Sequence, residues 1–260
     1  MASIFSEAGS YFKLAYGDAY RMLRDMRLSV MVAAGATIGA LIVGQVAGRL
    51  LVRTDLGQTV TQWLVALVGL YIAAPYTVAL YRYVILEHIE TKPEQLRADP
   101  ATLTFFAWSA VLNLAATVPE MLGVLTEPNG PAPGEPIFTS YATSMLIMGA
   151  AVLVLAVLAM RIITFLPSLA VDAANAYLQR TWMMTRGRFW LIWLTAMLAG
   201  LPIVLASPVI LTLTSALPNQ FARLLTMFVA GVGFMVVLML VGTSVSARLY
   251  QRLATEQAEA

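Results

Sequence analysis

"FWLIWLTAMLAGLPIVLASPVILTL", residues 189–213, decides the fold. The run contains no Asp, Glu, Lys, Arg or His. A helix that crosses a bilayer needs about 20 predominantly apolar residues, and this stretch exceeds that length. Pro202 and Pro208 interrupt it. Such breakers are tolerated in lipid when neighbouring helices satisfy the freed backbone groups. Five other stretches read the same way: 28–51, 61–81, 103–125, 141–163 and 221–245. The chain therefore reads as one all-α, polytopic membrane domain, 1–260, with six transmembrane helices.

Composition agrees. Of the 260 residues, 60% are hydrophobic and 12% charged, and the mean hydropathy is +0.78. A soluble domain carries about 25% charged residues, so this chain could not cover a globule with polar surface. Residues 1–27 alternate charge with aromatics and lack the apolar core of a cleaved signal peptide. The absence of cysteine excludes disulfides, thiolate metal sites and cysteine nucleophiles. The single histidine, His88, lies between Glu87 and Glu90 and reads as solvated surface. No phosphate loop, dinucleotide fingerprint, zinc-protease helix or esterase elbow is present. No catalytic residue, cofactor or metal is expected. Nucleic-acid binding is not expected either, because the cations sit at membrane boundaries.

Those cations orient the chain. Cytoplasmic loops are enriched in Lys and Arg. Of the 16 basic residues, only Arg49, Arg53 and Arg223 fall on one side. The others lie in the N-terminal segment, at Arg161 at the end of the fourth span, in the connections 82–102 and 164–188, and after residue 245. Both termini are therefore expected in the cytoplasm of a bacterial cell, with the spans in its inner membrane. The opposite connection "TEPNGPAPGEP", 126–136, has no cation and reads as an irregular loop.

The even spans end on arginine, at Arg82, Arg161 and Arg248. The odd spans are each preceded by a cationic or mixed-charge segment. The pattern suggests three hairpin-like units, each a surface helix followed by a span, an outer loop and a second span. In the surface helix 10–27, Phe12, Tyr16, Ala19, Leu23 and Met26 recur on one helical face. Lys13, Arg21 and Arg24 lie beside it. In 164–188, Asp172 reads as an N-cap, followed by a stripe of Leu178, Trp182, Thr185 and Phe189. Basic amphipathic helices lie in the membrane interface, and each cation near an anionic leaflet adds about 1 kcal/mol of attraction. The expected lipid-interface residues are Arg21, Arg24, Arg161, Arg180, Arg186, Arg188, Trp190 and Trp193. The second connection, "LEHIETKPEQLRADP", balances its bases with Glu87, Glu90, Glu94 and Asp99 and reads as more solvated.

"RIITFLPSLAVDAANAYLQRTWMMTRGRFW", 161–190, resembles the membrane domain attached to some bacterial glycerophosphoryl diester phosphodiesterases and related stand-alone inner-membrane proteins. Arg161, Pro167, Trp182, Thr185, Arg186, Gly187, Phe189 and Trp190 carry the resemblance. It implies a membrane module without phosphodiesterase activity, because the soluble catalytic domain and its carboxylates and histidines are missing. Gly187 stands where a surface helix must bend into a span, a joint for which glycine's freedom is suited.

Two intramembrane features bear on function. Gly35 and Gly39, and Gly44 and Gly48, form two GxxxG pairs about half a turn out of phase. Small residues let helix backbones approach, so both faces of the first span are candidates for helix packing, within the chain or in a homo-oligomer. Glu120 is the one acidic residue well inside a span, and Asn113 lies on the same face. An ionisable group in lipid is costly and marks a candidate polar site, here next to the break at Pro119. The expected function is that of a non-enzymatic scaffold or accessory module contacting anionic lipid or a partner protein. The alternative is a small transporter or lipid-handling protein with a cavity near Glu120.

Overall fold

The computed structural model describes residues 2–52, 54–90, 92–126, 137–171 and 176–259. All regular elements among them are helical. Helix α1 (Ala2–Asp25) leads into α2 (Arg27–Leu51) and α3 (Asp55–Leu86). A 3-10 turn at Pro93–Ala98 precedes α4 (Pro100–Thr126), which is followed by α5 (Ile137–Ile162). Two short helices, α6 (Phe165–Val171) and α7 (Leu178–Met184), lead to α8 (Phe189–Ser215) and α9 (Gln220–Glu259). Six helices are long and apolar enough to cross a membrane: α2, α3, α4, α5, α8 and α9. The chain is thus an all-α polytopic membrane protein.

Local sequence explains several helix starts. Thr54 accepts from Gly57 N at 3.3 Å and caps α3. Asp99 accepts from Ala101 N at 3.2 Å at the start of α4. Asn219 accepts from Phe221 N at 2.9 Å at the start of α9. Pro202 breaks the ladder of α8. Beside that break the Tyr16 hydroxyl donates to the Ala199 carbonyl at 2.9 Å, from α1.

Spans pack in pairs, α2 on α3, α4 on α5 and α8 on α9, while α3 and α9 touch each other and most of the rest. The core is gathered at the end that carries both termini. Val78, Ala79, Leu80, Phe165, Leu169, Ile192, Leu240 and Leu249 are buried there. Away from it, Leu146, Leu153, Val204, Leu213, Phe221 and Val229 are exposed. Such surface is expected where lipid replaces water as solvent.

Three details differ from the sequence expectation. Helix α1 buries Ala8, Tyr11, Ala15, Asp18 and Met22, with Leu23 exposed. Of the expected stripe, Ala19 and Met26 are buried and Tyr16 is half-buried, so the inward face overlaps that stripe but is shifted toward the small residues, because α1 packs into the junction of α8 and α9. The segment 164–188 is two short helices, and α7 buries Thr181 and Met184 while Leu178 and Trp182 face outward. The last helix runs for 40 residues, well beyond the expected end at 245, because its C-terminal half packs on α1. Asp172, Arg53 and most of the 126–136 loop lie outside the described residues.

Candidate functional site

Polar chemistry collects at the termini-bearing end, where the arginines closing the even spans reach across to other segments. Arg82, on α3, donates through Nε to the Ala170 carbonyl of α6 at 2.9 Å. Its Nη2 holds Asp99 at 2.8 Å. Arg161, on α5, donates to the Thr185 carbonyl at 3.1 Å and lies 5.5 Å over the Trp182 ring. The buried Thr185 hydroxyl returns the contact to the Arg161 carbonyl at 3.0 Å. Arg248, on α9, holds Asp18 of α1 with two bonds, Nε to Oδ2 at 2.7 Å and Nη2 to Oδ1 at 2.9 Å. The Asp18 side chain is only 7% exposed. Bidentate pairing of this kind satisfies a carboxylate that burial would otherwise penalise.

A second network joins α1, α8 and α9. Arg252 meets Glu7 at 3.0 Å and Glu256 at 2.8 Å. Arg188 meets Glu256 at 2.8 Å. A third group lies where α1 passes α3. Arg24 holds Asp25 at 2.7 Å, and the Tyr83 hydroxyl donates to the same carboxylate at 2.6 Å. Arg24, chiefly, and Tyr83 push the Asp25 pKa down to about 2. Gln251 of α9 donates to the Ile85 carbonyl of α3 at 2.8 Å.

Between α1, α3 and α9 lies a polar cavity of about 470 Å³. Asp18, Arg21, Arg24, Asp25, Tyr83, Glu87 and Arg248 line it, with Val84 and Ile89. Three guanidiniums thus face three carboxylates.

The anticipated interface residues take unequal roles. Arg21 and Arg186 are exposed. Arg24, Arg161 and Arg188 have the protein partners just described. Arg180 is partly buried and engaged with the protein. Trp190 is exposed and meets Phe189 and Trp193 edge-on, at 5.7 Å and 5.9 Å. Gly187, between Arg186 and Arg188, has φ 79°, the left-handed conformation that glycine accommodates without strain. His88 is exposed and lies 3.3 Å from Glu90.

Inside the spans, Asn113 is partly buried and its Oδ1 has no partner. The Glu120 side chain lies outside the described residues. Gly44 and Gly48 approach α3, where an added Cβ would stand 3.2 Å from Gln62 Cα and 3.4 Å from the Gln58 carbonyl. Gly35 and Gly39 have open space. A closer approach between the two spans comes from the other helix: a Cβ on Gly69 would meet the Ala36 carbonyl at 2.9 Å and the Ala40 methyl.

Sequence reasoning passed over Asp18, Asp25, Gly69 and Glu256. Asp18 carries a signal in hindsight. It lies between Gly17 and Ala19, with Ala15 one turn earlier, so small residues surround an acid on one helix face.

Among the described residues no group of three His, Asp or Glu is placed to hold a metal ion. The fold and this end of the molecule define a multi-pass helical membrane protein. Compared with family models, with curated proteins and with solved structures, the chain matches none.

Proposed function

We propose that this chain is a non-enzymatic scaffold or accessory module of the bacterial inner membrane, with both termini in the cytoplasm. Its termini-bearing end contacts anionic lipid or a partner protein. One observation carries the reading: Lys13, Arg27 and Arg186 are exposed there and take no ion pair among the described residues. Exposed Leu14, Leu28, Met183 and Trp190 accompany them. Cations over apolar side chains suit the headgroup boundary of an anionic leaflet. The resemblance of 161–190 to the membrane domain of phosphodiesterase fusions fits an accessory role.

The test is purification from native membrane followed by mass spectrometry of bound lipid and protein. The triple change Lys13→Gln, Arg27→Gln, Arg186→Gln should lower retained anionic lipid, or release a stoichiometric partner. Unchanged lipid and unchanged partners would remove the reading. A second reading, a small transporter or lipid-handling protein, is supported by the orphaned Asn113 Oδ1 within α4. A substrate-dependent flux lost in Asn113→Ala and in Glu120→Gln would favour it.

A further inference from the structure

We infer that the cavity between α1, α3 and α9 binds a zwitterion that carries a phosphate and a primary ammonium, the chemistry of an ethanolamine phospholipid headgroup. The site adds a stoichiometric recognition step to the diffuse anionic contact proposed above, and it stands or falls separately. The walls carry both signs of charge, but not all of it is neutralised internally. Asp18 and Arg248 satisfy each other, as do Arg24 and Asp25. Arg21 and Glu87 line the same space, and neither takes an ion pair among the described residues. Both are exposed to solvent, and a ligand seated here would turn an anion toward Arg21, which already acts on Asp25, and a cation toward Glu87.

The position of Glu87 strengthens the cationic half. It is the C-cap of α3, at φ 53° and ψ 26°, a left-handed conformation unusual for a residue with a side chain. A carboxylate there faces the negative end of the helix dipole, the unfavourable pole. Arg248 is near enough to be felt but is already held by Asp18 at 2.7 Å. An ammonium would supply the missing charge and hydrogen-bond donors. A quaternary amine is recognised by several aromatic faces, and Tyr83 is the one aromatic side chain among the lining residues. That favours ethanolamine over choline. The guanidinium fork of Arg21 suits a phosphate. Val84 and Ile89 offer apolar contact to the glycerol side. A volume of about 470 Å³ is ample for such a headgroup and falls within the usual range for small-molecule sites, about 300–1,000 Å³.

The experiment uses the full chain in detergent and native mass spectrometry. Phosphatidylethanolamine, phosphatidylcholine and phosphatidylglycerol of identical chains are offered as probes. The expected result is one ethanolamine lipid retained in preference to the other two. Glu87→Gln should reduce that preference about tenfold, the size of one lost charge-assisted hydrogen bond. Arg21→Gln should weaken binding of the ethanolamine lipid through its phosphate. Neither change touches an existing ion pair, and monodisperse elution of both variants checks folding. Displacement by free phosphoethanolamine at equal concentration would support the same chemistry with a soluble source. Its failure to displace would support a lipid source. Equal retention of all three lipids, unaltered by Glu87→Gln, would overturn the inference.

Discussion

Arg248 grips Asp18 across 230 residues of chain through two hydrogen bonds, at 2.7 Å and 2.9 Å. One partner sits on α1, the other on α9, and the carboxylate is nearly enclosed. The pair is the main polar tie between the two helices.

Removing one member leaves the other charge stranded. Asp18→Asn should therefore destabilise the protein by about 3 kcal/mol, in the range for breaking a buried pair. The fall in melting temperature in detergent measures it. Replacing both partners, Asp18→Leu with Arg248→Met, should recover a large part of the loss, because apolar substitutes of similar volume remove the unpaired charge. A double change no better than the single one would contradict this.

Gly69 should tolerate no side chain. Gly69→Ile drives atoms into the Ala36 carbonyl and the Ala40 methyl, at a cost of about 1–3 kcal/mol or more for overpacking. Gly35→Ile, facing open space, should leave stability close to that of the parent. Comparing the two thermal shifts tests the side on which α2 and α3 meet.

The Asp25 carboxylate should stay ionised in acid. Its folded pKa is about 2, below the ordinary value of 3.8. The stabilisation it lends is therefore fully present above that ordinary value and is lost as pH falls through about 2. Infrared titration of the carboxyl band, with Asp25→Asn as reference, reads the midpoint. A midpoint near the ordinary value would mean that Arg24 and Tyr83 do not engage it in solution.

Arg186 and Arg188 should separate under neutralisation. Arg188→Gln breaks the pair with Glu256, whose members are 45% and 29% exposed. Such a pair contributes about 0.5 kcal/mol, so a small thermal shift is expected. Arg186→Gln loses no protein partner and should shift retained anionic lipid instead. Identical behaviour of both variants would argue against the distinction.

The spans are legible in sequence because a run without charge over a bilayer's thickness admits few other folds. The expected start of the fifth span, residue 189, coincides with the start of α8. Gly187 is legible as a joint for the same kind of reason, since it stands between a polar helix and an apolar one. The inward face of α1 is not. Phe12 and Leu23 dominate its pattern, yet of that stripe only Ala19 is buried within α1, beside Ala8, Tyr11, Ala15, Asp18 and Met22. Small residues fit the junction with α8 and α9, and periodicity on one helix carries no information about the shape of its neighbours. Gly69 is hidden likewise. It has no GxxxG partner, and its role arises from Ala36 and Ala40 on another span. The cavity joins residues 18 to 248, a distance in sequence that no local spacing spans.

The clasp between α1 and α9 also constrains how the protein is made. A ribosome delivers α1 first, and its carboxylate Asp18 then waits for Arg248 until every span has been inserted. During that interval Tyr11, Ala15 and Met22 have no α9 to cover them. Nascent chains stopped before Arg248 should show α1 open to protease, and chains released after Glu256 should show it protected. The clasp can thus close only after α9 has been made.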